Sequence, residues 1–255
     1  MPLTFAHPAA VLPFSRDSKY VNFLAMVLGS MSPDFEYFLR GMPYGEIGHT
    51  FNGFIAFNLP IVVIVYFIYQ TCIHRTLFSH LPSIMQGTYS QKTSSTRLLK
   101  VFVFLYSTLF GMLTHVVWDS FTHLGGFMVK NIAILTYTVH IFDFNIPIFK
   151  FLQHGSTIVG ITVIISYMYF RAAKNRCDVD GEGNTKRKQK WMYWGQIALL
   201  TTLLFFLWYL IDKVTIESYG IIVVRIIDSA LISLLIVSLY FNRFNRAKLK
   251  GSFLK

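Results

Sequence analysis

Five apolar stretches dominate this chain, each long enough or nearly long enough to cross a bilayer, and they leave few folds open to it. They run from Gly53 to about Gln70, Leu98 to His123, Gly155 to Phe170, Gly195 to Ile211 and Gly220 to Phe241. In hydrocarbon every backbone N–H and C=O must be satisfied within its own segment, so each stretch is expected to be a transmembrane α-helix. The second reaches roughly 39 Å at 1.5 Å per residue. The third and fourth need flanking residues to complete the crossing. With 54% hydrophobic and 14% charged residues, a water-soluble globule of 255 residues is excluded. The expected fold class is all-α, a polytopic membrane helix bundle of about five transmembrane helices.

The first 52 residues are broken by Pro2, Pro8, Pro13, Pro33 and Pro43, and their most apolar part, Tyr20 to Leu39, carries Ser30, Ser32, Asp34 and Glu36. Short N-terminal interfacial helices are expected there. In the connector 124–154 the apolar run Ile132 to Phe142 is followed by Asp143, Asn145 and Pro147 and contains His140, which points to an interfacial or re-entrant segment. The chain thus divides into a first membrane domain (1–170), a basic loop (171–194) and a C-terminal transmembrane hairpin with a basic tail (195–255). No basic start with an apolar core opens the sequence, so no cleavable signal is expected.

A net charge of +11 raises the question of nucleic acid, but the basic residues sit between the apolar runs. Arg171, Lys174, Arg176, Lys186, Arg187, Lys188 and Lys190 fill one loop, and Arg243, Arg246, Lys248, Lys250 and Lys255 the tail. That pattern places both on the cytoplasmic side and implies a lipid bilayer, not nucleic acid, as the partner. Counting spans back puts 124–154 and the first fifty residues outside and 71–97, with Arg75, Lys92 and Arg97, inside; Arg16, Lys19 and Arg40 run against this. Cys72 and Cys177 share no spacing that suggests a disulfide framework or a thiolate metal site.

The stretch His115-Val-Val-Trp-Asp119-Ser-Phe-Thr-His123 carries the chemistry. On a helix, residues four apart share a face, so two imidazoles and a carboxylate look out together near the end of the second span. Ionisable groups there are costly unless paired or coordinating, and imidazole with carboxylate is a ligand mixture suited to zinc. The derived topology places His7, Asp34, His49, this trio and His154 on one side. Blander readings stand beside this one. His115 and Asp119 could share only an intrahelical hydrogen bond, Asp34 could cap a helix, Glu36 could be a surface group, and His140 could be a hydrogen-bonding anchor. Arg225 and Asp228, three apart, suggest an intramembrane ion pair or a proton path. No Gly-x-Ser-x-Gly turn or phosphate-cradling glycine loop is present.

Taken in order, His7-Pro-Ala-Ala-Val-Leu-Pro13, Gly29-Ser-Met-Ser-Pro-Asp34-Phe-Glu36-Tyr37, Gly48-His-Thr50 and His115-x3-Asp119-x3-His123 resemble an uncharacterised bacterial membrane-protein family. That family is similar in turn to YdjM- and YbcI-like inner-membrane metal-dependent hydrolases. The resemblance covers about the first 160 residues and implies a multi-pass protein of the bacterial inner membrane. More distantly, the order His7, Asp34, His49, His115 with Asp119, His123 and then His154 resembles that of zinc-dependent phospholipase C. Position 158 is Ile where that pattern has Glu, and an N-terminal Trp is missing, so one or two metals are expected instead of three. The implied activity is hydrolysis of a lipid or lipid-linked phosphoester by a divalent metal, best matched by zinc. Asp34 or Asp119 would bridge metals or orient water, with Glu36 as a spare general base. The alternative is a non-catalytic metal-binding scaffold or a component of ion or proton transport.

Overall fold

The computed structural model describes residues 3–82, 85, 96–142, 144–174 and 187–252, with the backbone alone at 141 and 244–252. Lys92, Asp143, Cys177, Lys186 and Lys255, on which parts of the sequence reading fall, lie outside the described residues, as do the side chains of Arg246, Lys248 and Lys250. A 3-10 helix, Thr4–Val11, is followed by α1 (Phe23–Met31), a 3-10 turn Ser32–Asp34 and α2 (Phe35–Arg40). Next come α3 (Phe51–His80), α4 (Arg97–Thr122), α5 (Phe127–Asn131) and α6 (Ala133–Thr136). Strands β1 (Thr138–Ile141) and β2 (Phe144–Pro147) form an antiparallel hairpin, and α7 (Ile148–Lys174), α8 (Arg187–Ile211) and α9 (Tyr219–Ser252) complete the chain. Among the described residues, five helical spans are long and apolar enough to cross a membrane, and the architecture is that of a polytopic helical bundle.

The helices run past the apolar stretches that announce them. The first span continues to His80 through two wide turns, at Phe54–Asn58 and Tyr69–Ile73, so the residues after Gln70 are helical and not loop. The connector after α4 is built from α5, α6 and the β-hairpin, in the register Thr138↔Pro147 to Ile141↔Phe144. The amide of Ile148 donates to Tyr137 O at 3.0 Å and leads directly into α7. Span three therefore begins at Ile148 and takes His154 into the helix, where Gly155 was the expected start.

The chain forms two compact units. The first comprises Met1–Phe35, Glu46–Val63 and Tyr89–Arg171. Its axis is α4, whose buried positions Val103, Ser107, Gly111, His115 and Asp119 recur every four residues and so line one face. α1 packs on that face. A Cβ on Gly111 would lie 2.2 Å from Met26 O, and one on Gly29 2.2 Å from Thr108 O, so hydrogen at both positions lets the backbones touch. Asn22 caps α1 by accepting from Ala25 N, and its own amide donates to Ser107 Oγ on α4.

The second unit comprises Glu36–Gly45, Ile64–Thr88 and Ala172–Lys255. Tyr193 and Ile197 on α8 pack with Val237 on α9 and Leu77 on α3, and Tyr193 Oη and Ser238 Oγ are 2.8 Å apart. Asn242 donates to Cys72 O and accepts from Thr76 Oγ1, both at 2.6 Å. Arg225 is paired with Asp212, not with Asp228 as its spacing suggests. Its guanidinium also donates to Asp212 O at 2.7 Å and lies 5.1 Å from the Trp208 ring. The arginine reaches back to the end of α8, where an acid and an unpaired carbonyl are both available.

Candidate metal centre

The buried face of α4 turns from small and apolar to ionisable over its last two turns, and three other segments bring donors to it. Gly111 admits α1 closely enough that Ser30 O meets His115 Nδ1 at 2.7 Å, one turn further along. Directly after α1, the turn Ser32–Asp34 buries Asp34. His49 arrives through Gly48, where a Cβ would lie 2.2 Å from Pro33 O, and Thr50 then caps α3 by accepting from Gly53 N. His7 is supplied by the N-terminal 3-10 helix and is buried, its ring stacked on that of His115 with centroids 3.8 Å apart.

Four donor atoms converge. His115 Nε2 stands 3.2 Å from Asp119 Oδ2 and 3.6 Å from Asp34 Oδ1, and His49 Nε2 stands 3.6 Å from each of the same two oxygens. One ligand atom from each of Asp34, His49, His115 and Asp119 lies within 4.8 Å of the others, and these four residues form a group able to hold a metal ion. Ligands bound at 2.0–2.1 Å around a tetrahedral ion are about 3.4 Å from one another, so the observed contacts have the spacing that a shared cation imposes. Neighbouring groups fix their aim. Thr4 Oγ1 donates to Asp34 Oδ2 at 2.7 Å and leaves Oδ1 for the centre. The Ser30 carbonyl engages His115 Nδ1 and leaves Nε2 facing the centre.

Asp119 divides its oxygens. Oδ2 faces His115 and His49, whereas Oδ1 lies 3.6 Å from His7 Nε2 and 3.5 Å from His123 Nδ1. Among the described residues, both ring nitrogens of His7, Asp34 Oδ1, His115 Nε2 and Asp119 Oδ1 are buried without a hydrogen-bond partner. Such atoms are costly in a protein interior, and a cation held by Asp34, His49, His115 and Asp119 would satisfy Asp34 Oδ1 and His115 Nε2 together. Burial, with His115 beside it, pushes His7 down to about 3, so the ring is neutral with a free lone pair. Burial alone would raise Asp34, but the adjoining His115 imidazole outweighs it and holds the carboxyl below the usual range. His49 is the open side of the group, with 32% of its side chain exposed.

The structure thus gathers His7, Asp34, His49, His115, Asp119 and His123. His154 lies exposed on α7 and is outside the group of four. Glu36 is buried, and its Oε1 accepts from Arg40 Nε at 3.0 Å and Nη2 at 2.8 Å; it is outside the group of four. His140 hydrogen-bonds Asn145 across the hairpin and is outside the group of four. Sequence reasoning missed Thr4, Ser30 and Trp118, whose ring meets His7 edge-on at 5.6 Å. Ser30 had a signal in the small residues Gly29 and Gly111, which mark a close crossing. Thr4 had none, because its contact with Asp34 joins residues 30 apart through tertiary folding.

The fold and the site together define a multi-pass helical membrane protein with a buried His/Asp group able to bind a metal ion. The chain belongs to the family described as Domain of unknown function (DUF4184), which matches residues 1–239. No curated protein and no solved structure matches it, and the comparisons give no support to a likeness to YdjM-like hydrolases or to zinc-dependent phospholipase C.

Proposed function

We propose that this protein is a metal-dependent hydrolase of a lipid or lipid-linked phosphoester, working at the membrane face where α4 ends. The observation that carries the reading is the set of buried, partnerless donor atoms at metal-ligand spacing. A divalent metal, with zinc the best match to two imidazoles and two carboxylates, supplies Lewis acidity and a bound water of near-neutral pKa. Asp34, His49, His115 and Asp119 hold it, and Thr4 and the Ser30 carbonyl keep the donors aimed. The second oxygen of Asp119 lies beside His7 and His123, and there it would orient a water or contribute a further donor. Glu36, committed to Arg40, has no proton-transfer role in this reading.

The substrate class is supported by an apolar groove of about 580 Å³ lined by Ala10, Phe110, Leu113, Val117, Trp118 and Leu152, among others. Trp118 borders both the groove and His7, and Thr122, also on the groove, lies 3.3 Å from His123 Nδ1. An acyl or isoprenoid chain laid there would bring its headgroup to the donor cluster. A second reading, a closed structural metal centre, is favoured by the count of four protein donors. The exposure of His49 argues for an accessible coordination position instead.

The test is hydrolysis of phospholipids and lipid-linked phosphates by wild type, chelated protein and Asp119→Asn in parallel. Metal-dependent release by the wild type alone is expected. Equal, chelator-insensitive rates in all three would refute catalysis, and bound metal without turnover of any phosphoester would favour the structural centre.

A further inference from the structure

We propose that the connector between α4 and α7 is a lipid-surface anchor, in which the β-hairpin and its flanking short helices press aromatic side chains into the headgroup boundary. This stands independently of the hydrolase reading. The connector has a core of its own, with Val129, Leu135 and Phe149 buried and Phe121, Met128 and Ile148 packed on them. Phe127, Ile134, Tyr137, Phe142 and Phe144 lie outside that core and are exposed, Phe142 to 97%. An apolar patch of this kind on a water-facing loop signals an interaction surface.

The hairpin tip sharpens the point. Phe142 has φ 51°, in the left-handed region that suits Gly or Asn and strains a bulky aromatic residue. Among the described residues none covers this ring, and a contact outside them would offset the strain.

Continuity with the membrane-covered surface identifies the occupant as lipid. Both α4 and α7 are membrane spans, with Val117 and Leu152 exposed on their flanks. The bond from Ile148 N to Tyr137 O ties the hairpin base to the first residue of α7. At ~3.3 Å per strand residue, the tip lies within about 20 Å of that residue. Aromatic residues favour this depth, whereas Lys130, His140 and Asn145 keep the segment from entering the acyl core.

The experiment places a nitroxide spin label at Phe142→Cys, Phe144→Cys or Tyr137→Cys in a Cys72→Ser, Cys177→Ser background. The protein is reconstituted in phosphatidylcholine–phosphatidylglycerol nanodiscs, and collision with oxygen is compared with collision with a water-soluble nickel chelate. Spin-labelled lipids of known depth calibrate the scale, and circular dichroism verifies each variant's helix content. Preferential oxygen access at 142 and 144, at headgroup or shallow acyl depth, is expected. Nickel-chelate access equal to that of a freely water-exposed label at both positions overturns the proposal, as does access to neither reagent, which would mean cover by protein.

Discussion

Asp119 is the residue on which the most contacts of the metal group depend, because its two oxygens face different imidazoles. Asp119→Asn and His115→Ala should each remove most bound metal, and the loss should exceed the ~10–100-fold that follows from disturbing an outer partner. Thr4→Val leaves every donor in place and should fall within that ~10–100-fold range. Metal content of protein purified in mild detergent, with zinc titration of chelated samples, measures all three. Unchanged affinity in Asp119→Asn would contradict the site. His7 gives a pH signature. Its folded value of about 3 lies below the unfolded value of 6.5, so between the two the unfolded chain binds more protons. Metal-free protein should therefore lose stability as pH falls below about 6.5, with no His7 contribution above it. Thermal unfolding from pH 7.5 to 5 should show a shallower slope in His7→Asn; an identical slope would show that His7 is not held neutral.

Close approach decides the donor geometry at the scale of elements. Gly111→Ala places a methyl 2.2 Å from Met26 O and 2.7 Å from Ser30 N, so α1 must move away from α4. Overpacking of this kind costs typically about 1–3 kcal/mol and should also weaken metal binding by shifting the Ser30 carbonyl from His115. Thermal melts with and without zinc test both effects, and a variant that melts and binds as wild type would show the crossing to be slack. The His115-x3-Asp119-x3-His123 face was legible because four-residue spacing on an apolar helix is a local property. Asp34 and His49 were legible as residue types, but not how they arrive: Gly48 against Pro33 O is visible only once the segments have folded. Arg225 misled for the same reason, because its partner Asp212 lies thirteen residues back across the turn between α8 and α9, whereas the Glu36–Arg40 pair, four apart on α2, is a local one. The hairpin 138–147 was hidden because a four-residue strand carries too little periodicity to separate it from a dipping apolar run.

Among the described residues the candidate spans number five, an odd count that is expected to put the segment before α3 and the basic C-terminal end of α9 on opposite sides of the membrane. Cysteine labelling in intact cells should modify positions near His49 and His123 from one side and Arg246 from the other. The basic tail is expected to face the cytoplasm; labelling of both groups from the same side would require a different number of crossings. The Arg225–Asp212 pair bears on how such a molecule is made. An arginine within an apolar segment opposes release from the translocon into lipid by about 2.5–3.5 kcal/mol on insertion scales, a penalty that a nearby acid relieves. Because Asp212 follows α8 and Arg225 lies in α9, the relief exists only when both helices are present. The pair is therefore expected to favour insertion of α8 and α9 together, as a hairpin, over insertion one at a time.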